Sequence, residues 1–177
     1  MEASKKKRVK AVITGAILLA VLAFCLVYTR PLTIEERFPM LEMSECTRIK
    51  GYYSNGQAAE ESSFVIYPED PCFSEMIALF EAPAFHTRLK NLLPMGTRIH
   101  RAEEGDFEWE LIFRFEDVRF PSGDMGRGDM LHIRNFFGDL TLHFDGESTR
   151  CSVKEQEQWL RDVMDRITNT VIEQEAA

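Results

Sequence analysis

The chain has 177 residues, 21 Lys and Arg against 29 Asp and Glu, and a formal net charge of −8. Six of those 21 basic residues and one of the 29 acidic residues lie at or before Arg30, which leaves 15 against 28 beyond it, a net of −13. A part this acidic excludes binding of DNA, RNA or anionic lipid headgroups through bulk charge.

The first element is apolar. Ala11 to Tyr28 is interrupted only by Thr14 and Gly15, and at about 1.5 Å per residue it spans roughly 27 Å as a helix. That is close to the bilayer hydrocarbon thickness of about 30 Å. The segment "LAFCLVYTR" resembles a lipoprotein signal around Cys25, but a lipobox needs a small residue before the cysteine and Phe24 stands there. An A-x-A-like cleavage site is also missing. The expectation is an uncleaved transmembrane signal anchor over 11–28. "KKKRVK" precedes it and a single Arg30 follows closely. The positive-inside rule then puts residues 1–10 in the cytoplasm as a short tail and the rest outside. Tyr28 falls where an interfacial aromatic belongs.

Residues 29–46, with Pro31 and Pro39, read as a stalk or lead-in strand rather than a packed helix. The domain proper is expected over 47–172, with 173–177 frayed. Its length suits one domain with its own core. Cys46, Cys72 and Cys151 are an odd number, so at most one internal disulfide forms. There is no CxxC and no N-x-S/T sequon, which points to a bacterial cell envelope rather than a glycosylated ectodomain.

"CTRIKGYYSNGQAAEESSFVIYPED" reads as two strands joined through the Asn55-Gly56 turn signal. Asp70 and Pro71 then open a helix, with Phe73, Met76, Ile77 and Phe80 on one face and Pro83 as its stop. "AFHTRLKNLLP" suits a short second helix or an extended segment. "TRIHRA" and "DFEWELIFRF" are strands joined at Gly105. In the second, Phe107, Trp109, Leu111, Phe113 and Phe115 make an apolar face. A glycine-rich loop, "FPSGDMGRGDM", leads to "LHIRNFFGDLTLHFDG". A Gly138-Asp139 turn there pairs Ile133 with Phe144 and gathers the apolar residues on one face. "SVKE" at Ser152–Glu155 reads as a capping box. The helix after it carries Val153, Leu160, Val163, Met164, Ile167 and Val171 as its stripe. The fold class is therefore α+β: an antiparallel sheet of about five to six strands against two or three helices.

No nucleophile elbow, zincin motif, P-loop or dinucleotide fingerprint occurs, and no cofactor is implied. The expected hairpin register puts Arg134 opposite His143 and His132 opposite Asp145, with Phe136 and Thr141 on the same face. His132, His143 and Asp145 make a candidate metal set. Arg134 and Phe136 are candidate contact residues. Arg127, Gly128 and Asp129 spell RGD, which resembles an adhesion loop. Glu103, Glu104, Asp106, Glu108 and Glu110 read as a solvated acidic rim.

The functional expectation is a single-pass, membrane-anchored accessory or binding domain, non-catalytic, with a membrane or envelope protein as partner. Two alternatives are a metal-dependent envelope hydrolase using the His132/His143 face and an inhibitor or immunity-like protein covering a cationic partner.

Overall fold

The computed structural model describes residues 2–54, 62–92, 108–116, 118, 129–136 and 139–175. It divides into two units, Met1–Arg30 and Pro31–Ala177. The first is one helix, α1 (Glu2–Tyr28). Within it Lys10–Tyr28 is 19 residues long with a mean hydropathy of 2.6, enough by length and composition to cross a membrane. Val12, Ile17, Leu18, Leu22 and Val27 are all exposed, as expected of a helix that is apolar all round.

Among the described residues the second unit is α+β, built on one eight-stranded sheet in the order β1-β4-β8-β7-β6-β5-β2-β3. The strands are β1 (Pro31–Leu32), β2 (Cys46–Ser54), β3 (Ser62–Ile66), β4 (Phe85–Thr87), β5 (Glu108–Phe115), β6 (Met130–Phe136), β7 (Asp139–Phe144) and β8 (Glu147–Val153). Every neighbouring pair is antiparallel. The helices are α2 (Ile34–Arg37), α3 (Pro71–Glu81) and α4 (Gln156–Glu175).

Alternation decides which face meets the helices. Trp109, Leu111, Phe113 and Phe115 of β5, Leu131 and Ile133 of β6, and Leu140, Leu142 and Phe144 of β7 are all buried. α3 adds Phe73, Met76, Ile77 and Phe80, as its spacing predicts, and α4 adds Trp159, Val163, Ile167 and Thr170. Phe80 packs edge-on to Phe113 at 5.2 Å and to Trp159 at 5.3 Å. The Trp159 indole Nε1–H donates to the Leu79 carbonyl at 2.8 Å and joins α4 to α3. Arg166 on α4 repeats the link with Glu75 on α3 at 2.9 Å. At the far edge Gln174 Nε2 donates to the Val65 carbonyl of β3 at 2.6 Å. α4 thus continues as helix through Glu175, beyond the expected fray point.

Gly51 serves this packing at one point. A Cβ there would run into the Phe64 ring from the neighbouring strand. A glycine in a strand marks such a close approach.

Four local expectations are corrected. Among the described residues the sheet has eight strands rather than five or six, because β1, β4 and β8 join it. Residues 31–46 are not a stalk. Thr33 caps α2 with a capping box, a 3-10 turn follows at Met43–Glu45, and Ile34, Phe38, Leu41 and Met43 are buried. The "SVKE" box is no cap: Ser152 pairs with His86 inside β8, Val153 is a strand residue, and Glu155 turns into α4 at a φ of 52°. Of the two readings left open for the segment after Pro83, the extended one holds for the three-residue β4, and a 3-10 turn follows at Leu89–Leu92. Asp70 does precede α3, but its carboxylate accepts from the Tyr67 N–H at 2.7 Å rather than from the helix. "TRIHRA" and the Asn55-Gly56 turn lie outside the described residues.

Candidate functional site

The face of the sheet away from α3 and α4 carries no buried residue among those described on it. Register assembles it in rows. Thr141, Arg134, Glu110 and Tyr52 lie side by side across β7, β6, β5 and β2. The adjacent row is His143, His132, Ile112 and Lys50.

This corrects the hairpin. His132 faces His143, Arg134 faces Thr141, and Phe136 faces Asp139. The pairing is shifted by two residues from the expected one, in which Asp145 faced His132. A shift of two keeps every side chain on its face and changes only its partners. Asp145 instead starts the β7–β8 turn, with φ of 48° there and 80° at Gly146. Two positive φ values on an Asp-Gly pair make a two-residue hairpin turn.

The metal expectation fares accordingly. Among the described residues no group of three or more His, Cys, Asp or Glu is placed to hold a metal ion. His132, His143 and Asp145 are not gathered as ligands. The two imidazoles meet edge to face, with centroids 5.8 Å apart. His132 Nδ1 lies 2.7 Å from Glu110 Oε1. With a carboxylate as acceptor, that nitrogen carries the proton. Arg134 Nε lies 3.2 Å from the same oxygen, an ion pair without hydrogen-bond alignment. Glu110 therefore holds the centre of the patch. It belonged to the expected solvated rim, and the pairing of β5 with β6 is what brings it to the histidine.

Beside it the sheet face has a depression of about 370 Å³, lined by Tyr52, Tyr53, Glu108, Glu110, His132 and Phe136 among others. Glu108 Oε1 is buried there and has no hydrogen-bond partner among the described residues. Phe136, a predicted contact residue, remains 37 % exposed.

No protein family, curated protein or solved structure matches this chain.

Of the RGD stretch, Arg127 and Gly128 lie outside the described residues. Asp129 pairs with Arg114 Nε at 3.2 Å, and its carbonyl accepts from the Phe115 N–H at 2.8 Å. It is thereby tied to β5.

The cysteines are free, and Cys46, Cys72 and Cys151 are buried. Burial pushes the Cys46 thiol up from 9.0 to about 11, against backbone hydrogen bonds at Arg48 and Arg114 that lower it. Burial also pushes Cys151 up to about 11, opposed by the charges of Arg37 and Arg88. A raised folded pKa stabilises the fold fully below the unfolded value, and that stability drains away as pH rises through the folded value. The loss therefore runs from pH 9.0 to about 11 and reaches at most about 3 kcal/mol per thiol, at roughly 1.36 kcal/mol per unit. Urea unfolding between pH 8 and pH 11 measures it. Cys46→Ala/Cys151→Ala is expected to show a flatter alkaline fall than the parent, and equal slopes would show that these thiols are not its source.

Proposed function

We propose that the chain is a single-pass, membrane-anchored protein whose acidic domain lies outside the cytoplasm and acts as a non-catalytic binding or accessory module. Three features support this reading. α1 is apolar enough to span, the basic residues gather at its N-terminal end, and the positive-inside rule turns that asymmetry into an orientation. The observation that carries the binding role is the sheet face opposite α3 and α4. It has a depression edged by Tyr52, Phe136 and two carboxylates, Glu108 and Glu110. Aromatic side chains with a few convergent polar groups are what a binding site uses.

The test is in-cell photocrosslinking of the full chain. A photoreactive residue at Thr141 or Ser148 samples the face in question, and one at Glu157 or Arg161 samples the outside of α4. The expected result is a single adduct from the sheet-face positions and none from α4. Adducts from α4 alone, or from neither, would overturn the reading. So would turnover that vanishes in His132→Ala.

A further inference from the structure

Among the described residues, Glu108 Oε1 is a buried carboxylate oxygen with no partner. Leaving such a group unsatisfied is costly, so it calls for an explanation. The neighbouring carboxylate is already engaged, because Glu110 Oε1 holds both His132 and Arg134. Glu108 is left without a partner among the described residues, in a depression edged on this face by Tyr52 and Phe136. Its volume of about 370 Å³ falls within the range of small-ligand sites, roughly 300–1,000 Å³.

We infer that this depression receives an organic cation, a guanidinium or ammonium group, with Glu108 as its counter-charge and the aromatic rings as its walls. The inference rests on the proposed role of this sheet face and names its ligand chemistry. Aromatic faces attract cations through the ring quadrupole. The chain provides its own instance, since Lys50 Nζ sits 4.7 Å from the Tyr52 ring centroid. A carboxylate adds a charge-assisted hydrogen bond, about twice as strong as a neutral one. An anion is disfavoured here, as the chain beyond Arg30 carries a net charge of −13, 15 basic residues against 28 acidic. The ligand cation meets Lys50 as a like charge on the same face, so it binds from the Glu108 side of Tyr52.

The test is calorimetry on the full chain in nanodiscs of zwitterionic lipid. The probes are N-acetyl-arginine methylamide, its neutral citrulline counterpart, and spermidine. The arginine probe or spermidine is expected to bind, and the citrulline compound at least about tenfold more weakly than the arginine probe. Glu108→Gln should cost at least about tenfold for the cation that binds. Tyr52→Leu should cost about threefold to tenfold. Glu157→Gln, the same charge change on α4, should cost nothing. Glu108→Gln should also hold or raise the melting temperature, since it removes an unsatisfied charge, and so a loss of binding cannot be a loss of fold.

Tighter binding of the arginine probe than of spermidine assigns the cation to a protein side chain. The reverse order assigns it to a free polyamine. Failure of both cations to bind, equal affinity of the citrulline compound where the arginine probe binds, or an indifferent Glu108→Gln overturns the inference. The two readings fail separately. Sheet-face crosslinks without cation binding leave the contact surface standing, and cation binding without crosslinks leaves a small-molecule site.

Discussion

Phe80→Ala is expected to remove about 3–5 kcal/mol of stability from the domain, the cost of emptying a large aromatic site in a core. Phe80 is fully buried. It stands on α3 between the sheet and α4, edge-on to Trp109 at 6.1 Å, to Phe113 at 5.2 Å and to Trp159 at 5.3 Å. Three structural elements therefore lose packing together. Edge-to-face aromatic pairs contribute about 0.5–1.5 kcal/mol beyond their buried area, so the loss belongs near the top of the range. A domain holds about 5–15 kcal/mol in all. Urea unfolding of a chain beginning at Pro31 measures the change. Phe136→Ala is the control, because that ring is 37 % exposed on the other face. Surface changes of that kind stay within about 0.5 kcal/mol. A Phe80→Ala loss no larger than the control's would show that α3 does not hold α4 to the sheet.

Sequence period carried the reading furthest where elements are long. β5 announced its inner face through Trp109, Leu111, Phe113 and Phe115, and all four are buried. α3 did the same with Phe73, Met76, Ile77 and Phe80. Period is silent about very short strands: β1 has two residues and β4 has three. β8 was hidden differently. "SVKE" matches a capping box residue by residue, while Ser152 belongs to a strand. The stronger signal stood nine residues before the end of that box, where Asp145-Gly146 form the hairpin turn that feeds β8. The β6–β7 register shows the limit of pattern. Shifts of two leave the buried set unchanged, so alternation alone cannot choose between them. The faces of His132, Arg134, Thr141 and His143 were legible, and their partners were not. Glu110 could be joined to His132 only by knowing that β5 lies beside β6, a contact across a long connection that local pattern does not encode.

The segment after α1 carries the second large effect. Leu41→Ala is expected to cost about 2–5 kcal/mol, the penalty of a core position rather than of a linker. Leu41 is 1 % exposed, and Ile34 and Met43 are 0 % exposed. The Phe38 ring meets Phe144 of β7 at 5.2 Å. Polar contacts fix the same stretch. Arg37 donates to Thr87 Oγ1 at 2.8 Å and to the Phe85 carbonyl on β4. Glu35 accepts from the Met43 N–H at 3.0 Å. A tether has no reason to bury four apolar side chains and bind two strands. A chain beginning at Pro31 is accordingly expected to unfold in one cooperative transition, and a chain beginning at Cys46 to lose it. That shorter chain exposes the surfaces left by Ile34, Phe38, Leu41 and Met43, and it also lacks the Arg37 clamp on β4. If the shorter chain melts as sharply and as high as the longer one, the packing of 31–45 is dispensable. If it does not, the folded domain begins at Pro31 rather than at Cys46.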